Sequence, residues 1–270
     1  MIPLDFITAW RAVAPWPDDA MVEQDLVISR ALVAIYGSPE LARRLAFRGG
    51  TALHKLHLSP ASRYSEDIDL VQVEPGPIGD VLDGLRGALD PWLGEPRRKF
   101  KDGRVNLVYR FDSEGPPPVP LRLKVEINSR EHFTELGLAS MPLAVRSRWF
   151  SGEAAITTYE LDELIGTKLR ALYQRKKGRD LYDLGLALDR GADPDRVLAC
   201  FDRYMSEGGH RVTRALLEQN LAAKQKDALF RADMSALLRP GEVWDVDATL
   251  EVVRERLVAR LPGEPWKGEG

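Results

Sequence analysis

Cysteine is almost absent from this chain. Cys200 stands alone among 270 residues, so no disulfide can form within it, and its apolar-spaced surroundings mark it as a small buried hydrophobe rather than a nucleophile. Long hydrophobic runs are missing as well. Nothing approaches the ~20 consecutive apolar residues that a bilayer crossing needs, and the best apolar stretch is broken by Arg30. The opening MIPLDFITAWRAVAPWP has no basic segment leading into an apolar one, so no secretory signal is visible and the cytoplasm is the expected compartment. Histidine is scarce: His54 and His57 lie three apart, with no cysteine or third histidine near enough for zinc. Nor does one sign of charge dominate. The net charge is −3, so any nucleic-acid partner has to be held by local basic patches.

What remains is ordinary globular usage, 44% hydrophobic and 29% charged, which excludes a disordered, collagenous or fibrous chain. At about 150 residues per domain the length suits one large domain or two modest ones. A helix is expected between Asp18 and Gly37, followed by a short strand at Leu45–Phe47, a tight turn at Arg48-Gly49-Gly50-Thr51 and a helix over 52–58. Ile68–Val73 alternates as a strand, and Val81, Leu82, Leu85, Leu89 and Trp92 mark the buried side of an amphipathic helix. Lys101-Asp102-Gly103-Arg104 supplies an Asp-Gly hairpin turn between a basic strand and Val105–Phe111. Leu121, Leu123, Val125 and Ile127 alternate with Arg122, Lys124, Glu126 and Asn128, giving one apolar and one polar face. From Thr157 the pattern turns helical, Thr157 and Glu160 being spaced as a capping box. Further helices are expected at 180–188, 195–205, 212–226 and 247–261, and the Pro/Gly-rich tail 262–270 should fray. The fold class is therefore α+β followed by an all-α part, with domains 1–155 and 156–270.

Asp67 and Asp69, two apart at the start of a strand, project from one face while Ile68 and Leu70 point inward. That is the outline of a hard-cation site of the kind Mg²⁺ uses, with one or two carboxylates completed by phosphate oxygens and water. A solvated strand edge explains the pair equally well. Gly49-Gly50, followed by the Thr51 hydroxyl and a helix, makes a turn whose N–H groups can approach a phosphate chain, or a plain turn. Glu126 can join the aspartates if its strand is a neighbour, or else pair with Lys124 or Arg122. Lys168 falls at about −20° on a helical wheel whose apolar positions span about −60° to 80°, inside the apolar stripe. It must snorkel to the edge or meet an anion, for which a triphosphate is one candidate. Two basic stretches, Lys168 to Arg179 and Arg97 to Arg104, can each follow a phosphate backbone or lie as solvated faces. Asp180 and Asp183 share a helix with Arg179, either in an ion-pair network or with an aspartate orienting Lys168.

Taken in order and at these intervals, FRGGTALHK, RYSEDIDLV, LKVEIN, ELIGTKLRAL and GRDLYDL resemble the AbiEii/MenT family of nucleotidyltransferase toxins, within the DNA polymerase β-like superfamily. The resemblance covers about residues 40–190. It implies an N-terminal nucleotidyltransferase fold, a mixed β-sheet flanked by helices, then an all-α C-terminal helical bundle contributing lysine and aspartate to the cleft. It implies that Asp67, Asp69 and Glu126 hold metal, two Mg²⁺ ions being expected, and that Gly49, Gly50, Thr51, Ser65, Lys168, Arg179 and Asp183 contact the NTP. Lys168 and Asp180 join the three acidic residues as catalytic. Many superfamily members carry Gly-Ser where this chain has Gly50-Thr51, so Thr51 stands in for the hydroxyl. The implied activity is toxin action in a bacterial toxin–antitoxin pair, by adding nucleotides to the 3′ acceptor end of tRNA and blocking aminoacylation, with a cognate antitoxin encoded nearby. A phosphate on Ser65 would bring about two negative charges beside the aspartates and switch the site off. The alternatives are a nucleotidyltransferase acting on a small molecule or protein, a non-catalytic nucleotide- or partner-binding protein, and a metal-dependent nuclease.

Overall fold

Alternation of buried and half-exposed residues builds the sheet, and a computed structural model shows how its strands are ordered. The structure describes residues 2–101 and 103–268. Asp102 of the expected Asp-Gly turn, with Glu269 and Gly270 of the tail, lies outside the described residues.

The first unit comprises residues up to Thr134 together with Leu138–Tyr159. Its elements are α1 (Leu4–Trp10), α2 (Asp19–Tyr36), α3 (Pro39–Arg44), β1 (Leu45–Arg48), α4 (Gly49–Ala52), β2 (Asp67–Gln72), α5 (Gly79–Leu93), β3 (Arg97–Lys101), β4 (Arg104–Asp112), β5 (Pro120–Asn128), β6 (Leu138–Arg146) and β7 (Ser151–Tyr159). The seven strands form one mixed sheet in the order β3-β4-β5-β2-β1-β7-β6. β2 runs parallel to β5 and β1 parallel to β7, and the other neighbours are antiparallel. Ile68, Leu70, Leu107, Val125 and Ile127 are buried on one face of the sheet, and α2 and α5 supply Leu26, Leu85 and Leu89 to the same core. Arg30, which interrupts the apolar run of α2, is held over the rings of Trp92 and Trp149, 4.2 and 4.5 Å from their centroids.

Strands β6 and β7 correct the sequence reading, which expected helix from Thr157 and named no strand between Ile127 and that point. The segment LASMPLAVR buries little on either side, and its Pro142 is tolerable because β6 is an edge strand. Thr157 does not cap a helix. It lies within β7, and its hydroxyl donates to the Ala42 carbonyl at 2.7 Å; the next helix begins at Leu161 after Glu160. The helix after the glycine turn also starts earlier than expected, at Gly49, and continues as a π-helical turn over Leu53–His57.

The second unit, Glu135–Gly137 with residues from Glu160 onward, contains α6 (Leu161–Gln174), α7 (Gly178–Asp189), α8 (Pro194–Glu207), α9 (Arg214–Gln225), α10 (Ala228–Ala232) and α11 (Val246–Arg256). Glu163, fully buried in α6, accepts the backbone N–H groups of Glu135 and Leu136 and the Tyr204 hydroxyl of α8. Cys200 is buried here, and burial pushes its thiol up to about 12, far from a thiolate nucleophile. The tail is better tied than its composition suggests: Pro262 accepts the Arg214 N–H at 2.9 Å, and Trp266 donates to Glu218 at 2.6 Å.

Candidate active site

Register decides what sequence spacing left open. Because β2 and β5 are parallel neighbours, Asp67 stands opposite Lys124 and Asp69 opposite Glu126, while Arg48 of β1 stands opposite Asp69 and Asn106 of β4 opposite Glu126. Cross-strand partners share a face, so Asp67, Asp69 and Glu126 occupy one side of the sheet, away from the apolar core.

The three carboxylates are served unequally. Glu126 accepts from Lys124 Nζ at 2.9 Å and from Arg104 at 3.4 Å, and the same Nζ is 3.6 Å from Asp67. Burial pulls the Lys124 ammonium down, but Glu126 and the two aspartates outweigh it and hold the group above the usual lysine range. Asp69 has no hydrogen-bond donor or ion-pair partner among the described residues. Burial, reinforced by the charges of Asp67 and Glu126, raises its carboxyl to about 6, and burial likewise raises that of Asp67. Among the described residues no three ligand side chains already close on one point; Lys124 holds Asp67 and Glu126 instead. The donor set is nonetheless all hard oxygen, with the Asp69 carboxylate at its centre contacted by no donor among the described residues, which fits a divalent cation supported by one or two carboxylates and phosphate oxygens.

The glycine turn lies against this row. Gly49 has φ +83°, and a Cβ there would fall 2.2 Å from Asp69 Oδ2, so the carboxylate and the turn backbone approach in a way only glycine permits. A Cβ on Gly50 would meet the Arg63 guanidinium at 2.6 Å and the Ser65 hydroxyl at 3.0 Å. The Thr51 hydroxyl donates to the Asp67 carbonyl at 2.6 Å and is 2.9 Å from the Ser65 hydroxyl, tying turn to strand. Thr51, Arg63 and Ser65 line a cavity of about 250 Å³ that also contains Asp25 and Lys55. Lys55 pairs with Asp25 at 2.9 Å, and Asp25 also accepts from Trp10 and Trp16.

Sequence reasoning passed over Arg63, which is 1% exposed and donates to the Tyr64 carbonyl. An arginine two residues before Ser65 was the available signal. It also passed over Arg48, whose ion pair with Glu131 joins two segments that no local pattern connects.

The second unit gathers the other sequence candidates around Lys168. The residue is 6% exposed, its ammonium 2.8 Å from Asp183 and 3.4 Å from Asp180, and Arg175 completes Asp180 at 2.7 and 2.9 Å. The anion awaiting the buried lysine is thus a pair of aspartates from α7. Among the described residues Arg179 forms no ion pair along its own helix. It makes a two-pronged contact with Asp233 at 3.0 and 3.1 Å, and Asp233 raises its guanidinium above the ordinary value.

Comparison with known proteins follows the same lines. The family model described as nucleotidyl transferase AbiEii toxin, type IV toxin–antitoxin system, matches residues 30–252. Among solved structures, the chain is similar to MenT4, a nucleotidyltransferase toxin from Mycobacterium tuberculosis, at 20% identity and TM-score 0.68, over 97% of this chain and 91% of that one. It is also similar to a protein from H. pylori assigned to the nucleotidyltransferases, at 16% identity and TM-score 0.52, over 86% of this chain and 90% of the other. These two likenesses establish the fold. No curated protein matches the chain.

Proposed function

We propose, from the premise that the chain belongs to the AbiEii family of nucleotidyl transferase toxins, that it is the toxin of a bacterial toxin–antitoxin pair and moves a nucleotide from an NTP to the 3′ acceptor end of tRNA in the cytoplasm. The observation that carries the chemistry is the donor-less carboxylate of Asp69, set in register with Glu126 and pressed against Gly49.

Asp67 and Asp69, with Glu126 beside them, are the residues that would hold Mg²⁺, two ions being the expected number. When bound, such ions neutralise phosphate charge and make a hydroxyl a better nucleophile. Phosphoryl transfer asks little covalent chemistry of a protein and much positioning. Here the Gly49-Gly50 turn leaves backbone bare where a triphosphate would lie, with Thr51 and Ser65 at its side. Lys124 Nζ lies between Asp67 and Glu126, 3.6 and 2.9 Å from them, so a cation held by these carboxylates would share or displace it. The roles implied for Lys168, Asp180, Arg179 and Asp183 carry a geometric condition. Each of these cations already holds a carboxylate, so contact with a nucleotide by Lys168 or Arg179 requires exchanging that partner. A cognate antitoxin belongs to the same reading.

The test is incorporation of each labelled NTP into purified tRNA, with Mg²⁺ and with chelator, resolved on a denaturing gel. Lengthening that needs Mg²⁺ and vanishes in Asp69→Ala supports the proposal. Label entering a protein or small molecule, shortened tRNA, or full activity in Asp69→Ala overturns it.

A further inference from the structure

Sequence offered two basic stretches as equals, and the structure separates them. Along Lys168–Arg179 the charges are spent internally: Lys168 and Arg175 on α7 aspartates, Lys176 on Asp227 at 3.1 Å, Lys177 and Arg179 on Asp233, while Arg170 lies over the Tyr204 ring. Strand β3 differs. Arg97, Lys99 and Lys101 are exposed, and none forms an ion pair among the described residues.

Their direction is fixed by register. Lys99 stands opposite Asn106, Asn106 opposite Glu126, and Glu126 opposite Asp69, one unbroken row across four strands; Arg97 likewise leads through Val108 and Lys124 to Asp67. The three cations therefore project from the same sheet face as the carboxylates, three strand spacings or about 14 Å from the two aspartates. They are spaced about 7 Å apart along β3. Arg104 bridges the two groups, more than half exposed and 3.4 Å from Glu126, and exposed Arg130 lies across the adjoining Gly103 turn. Protecting a sheet edge from pairing calls for some charge. The opposite edge, β6, manages with Arg146 and Pro142, so four cations in five residues exceed that need.

We propose that the β3 edge is the docking strip for the acceptor RNA, with Arg97, Lys99 and Lys101 each taking a backbone phosphate so that the strand runs across the sheet toward Asp67 and Asp69. The inference rests on the RNA-acceptor reading above and adds the surface that selects a polymer over a small acceptor. Phosphate contacts position without reading sequence, and their signature is salt dependence, each contributing close to one unit of slope in log K against log salt.

The experiment measures binding of purified tRNA between 50 and 200 mM salt, and KM and kcat for transfer, in the parent, in Arg97→Gln/Lys99→Gln/Lys101→Gln, and in Arg98→Gln. Arg98 lies on the same strand but points to the other face, opposite Leu107. The triple variant should lower the salt slope by roughly 2–3 and weaken binding by roughly tenfold or more, raising KM for RNA with little change in kcat or in KM for the NTP. Arg98→Gln should change little. An unchanged slope and KM in the triple variant, or an equal loss in Arg98→Gln, overturns the inference. The two readings fail separately. A parent that incorporates nucleotide into RNA while the triple variant behaves identically defeats only the docking strip. A parent that binds RNA through these residues but never transfers to it defeats only the function.

Discussion

The two charged clusters of this protein use the same residue types to opposite ends. Around Lys168 two cations meet two fully buried aspartates at hydrogen-bonding distance. Around Asp69 the charges do not match, because Lys124 and Arg104 serve Glu126 and Asp67 while Asp69 is left beside two like charges. A closed ion-pair network is retained once formed, since removing one member strands the others in low dielectric. A half-buried carboxylate that no donor contacts, and whose like-charged neighbours outweigh the more distant Lys124 and Arg48, costs stability in the free protein and is a mark of a site that completes itself with a ligand. The first cluster should therefore answer to mutation in stability and the second in activity.

The sharpest way to break that contrast is Asp69→Asn. Transfer should fall by roughly 10³-fold or more, as expected when a metal-holding carboxylate goes, while the melting temperature holds or rises because repulsion from Asp67 and Glu126 is relieved. A loss of melting temperature equal to the loss of activity would place Asp69 in the fold rather than the chemistry. Lys168→Met should do the reverse. With Asp180 and Asp183 left buried together, about 3–5 kcal/mol is at stake, a drop on the order of 10 °C for a chain of this size. Calorimetry showing no drop, together with abolished transfer, would move Lys168 from the closed class to the open one.

How much of this was legible beforehand differs between the clusters for a physical reason. Alternation in Leu121–Ile127 placed Glu126 on a polar face, and Asp-x-Asp placed both aspartates on another, because side-chain period is local. Which strands are neighbours is not local, and only the parallel pairing of β2 with β5 brings Glu126 beside Asp69. The helical wheel put Lys168 in the apolar stripe correctly, yet the partners twelve and fifteen residues away depend on how α7 packs. β6 escaped notice because its more covered face of Ala139, Met141, Leu143 and Val145 is set against one that itself carries Leu138, Pro142 and Ala144, so the contrast between apolar and polar positions is weak. Arg179 was spaced for a helical pair with Asp183, but Asp233, distant in sequence, offers two oxygens and takes it.

A smaller effect sharpens the link between turn and carboxylate. Gly49→Ala meets both a positive φ and the Asp69 carboxylate at 2.2 Å. The backbone strain is worth about 1–2 kcal/mol, and the displaced Asp69 should lower transfer more than the small loss of melting temperature suggests. Equal activity per folded molecule would show that the close approach of Gly49 to Asp69 serves packing alone.

The smallest effect tests whether a raised carboxyl by itself marks function. Glu23 of α2 is 1% exposed; its Oε2 accepts the Glu114 N–H at 2.9 Å, and its Oε1 has no hydrogen-bond partner among the described residues. Burial lifts its carboxyl from 4.5 to about 7. The folded protein thus binds this proton more tightly than the unfolded chain does. The favourable contribution is fully present below 4.5 and is lost as pH rises from 4.5 to about 7. Glu23→Gln cannot ionise, so its melting temperature should gain on the parent by roughly 2–5 °C between acid and mildly alkaline buffer, with transfer untouched at every pH where both are folded. A difference that stays constant across that range would mean that folding does not shift the Glu23 carboxyl. Changed transfer would mean that Asp69 is not alone in coupling an uncompensated carboxylate to the reaction.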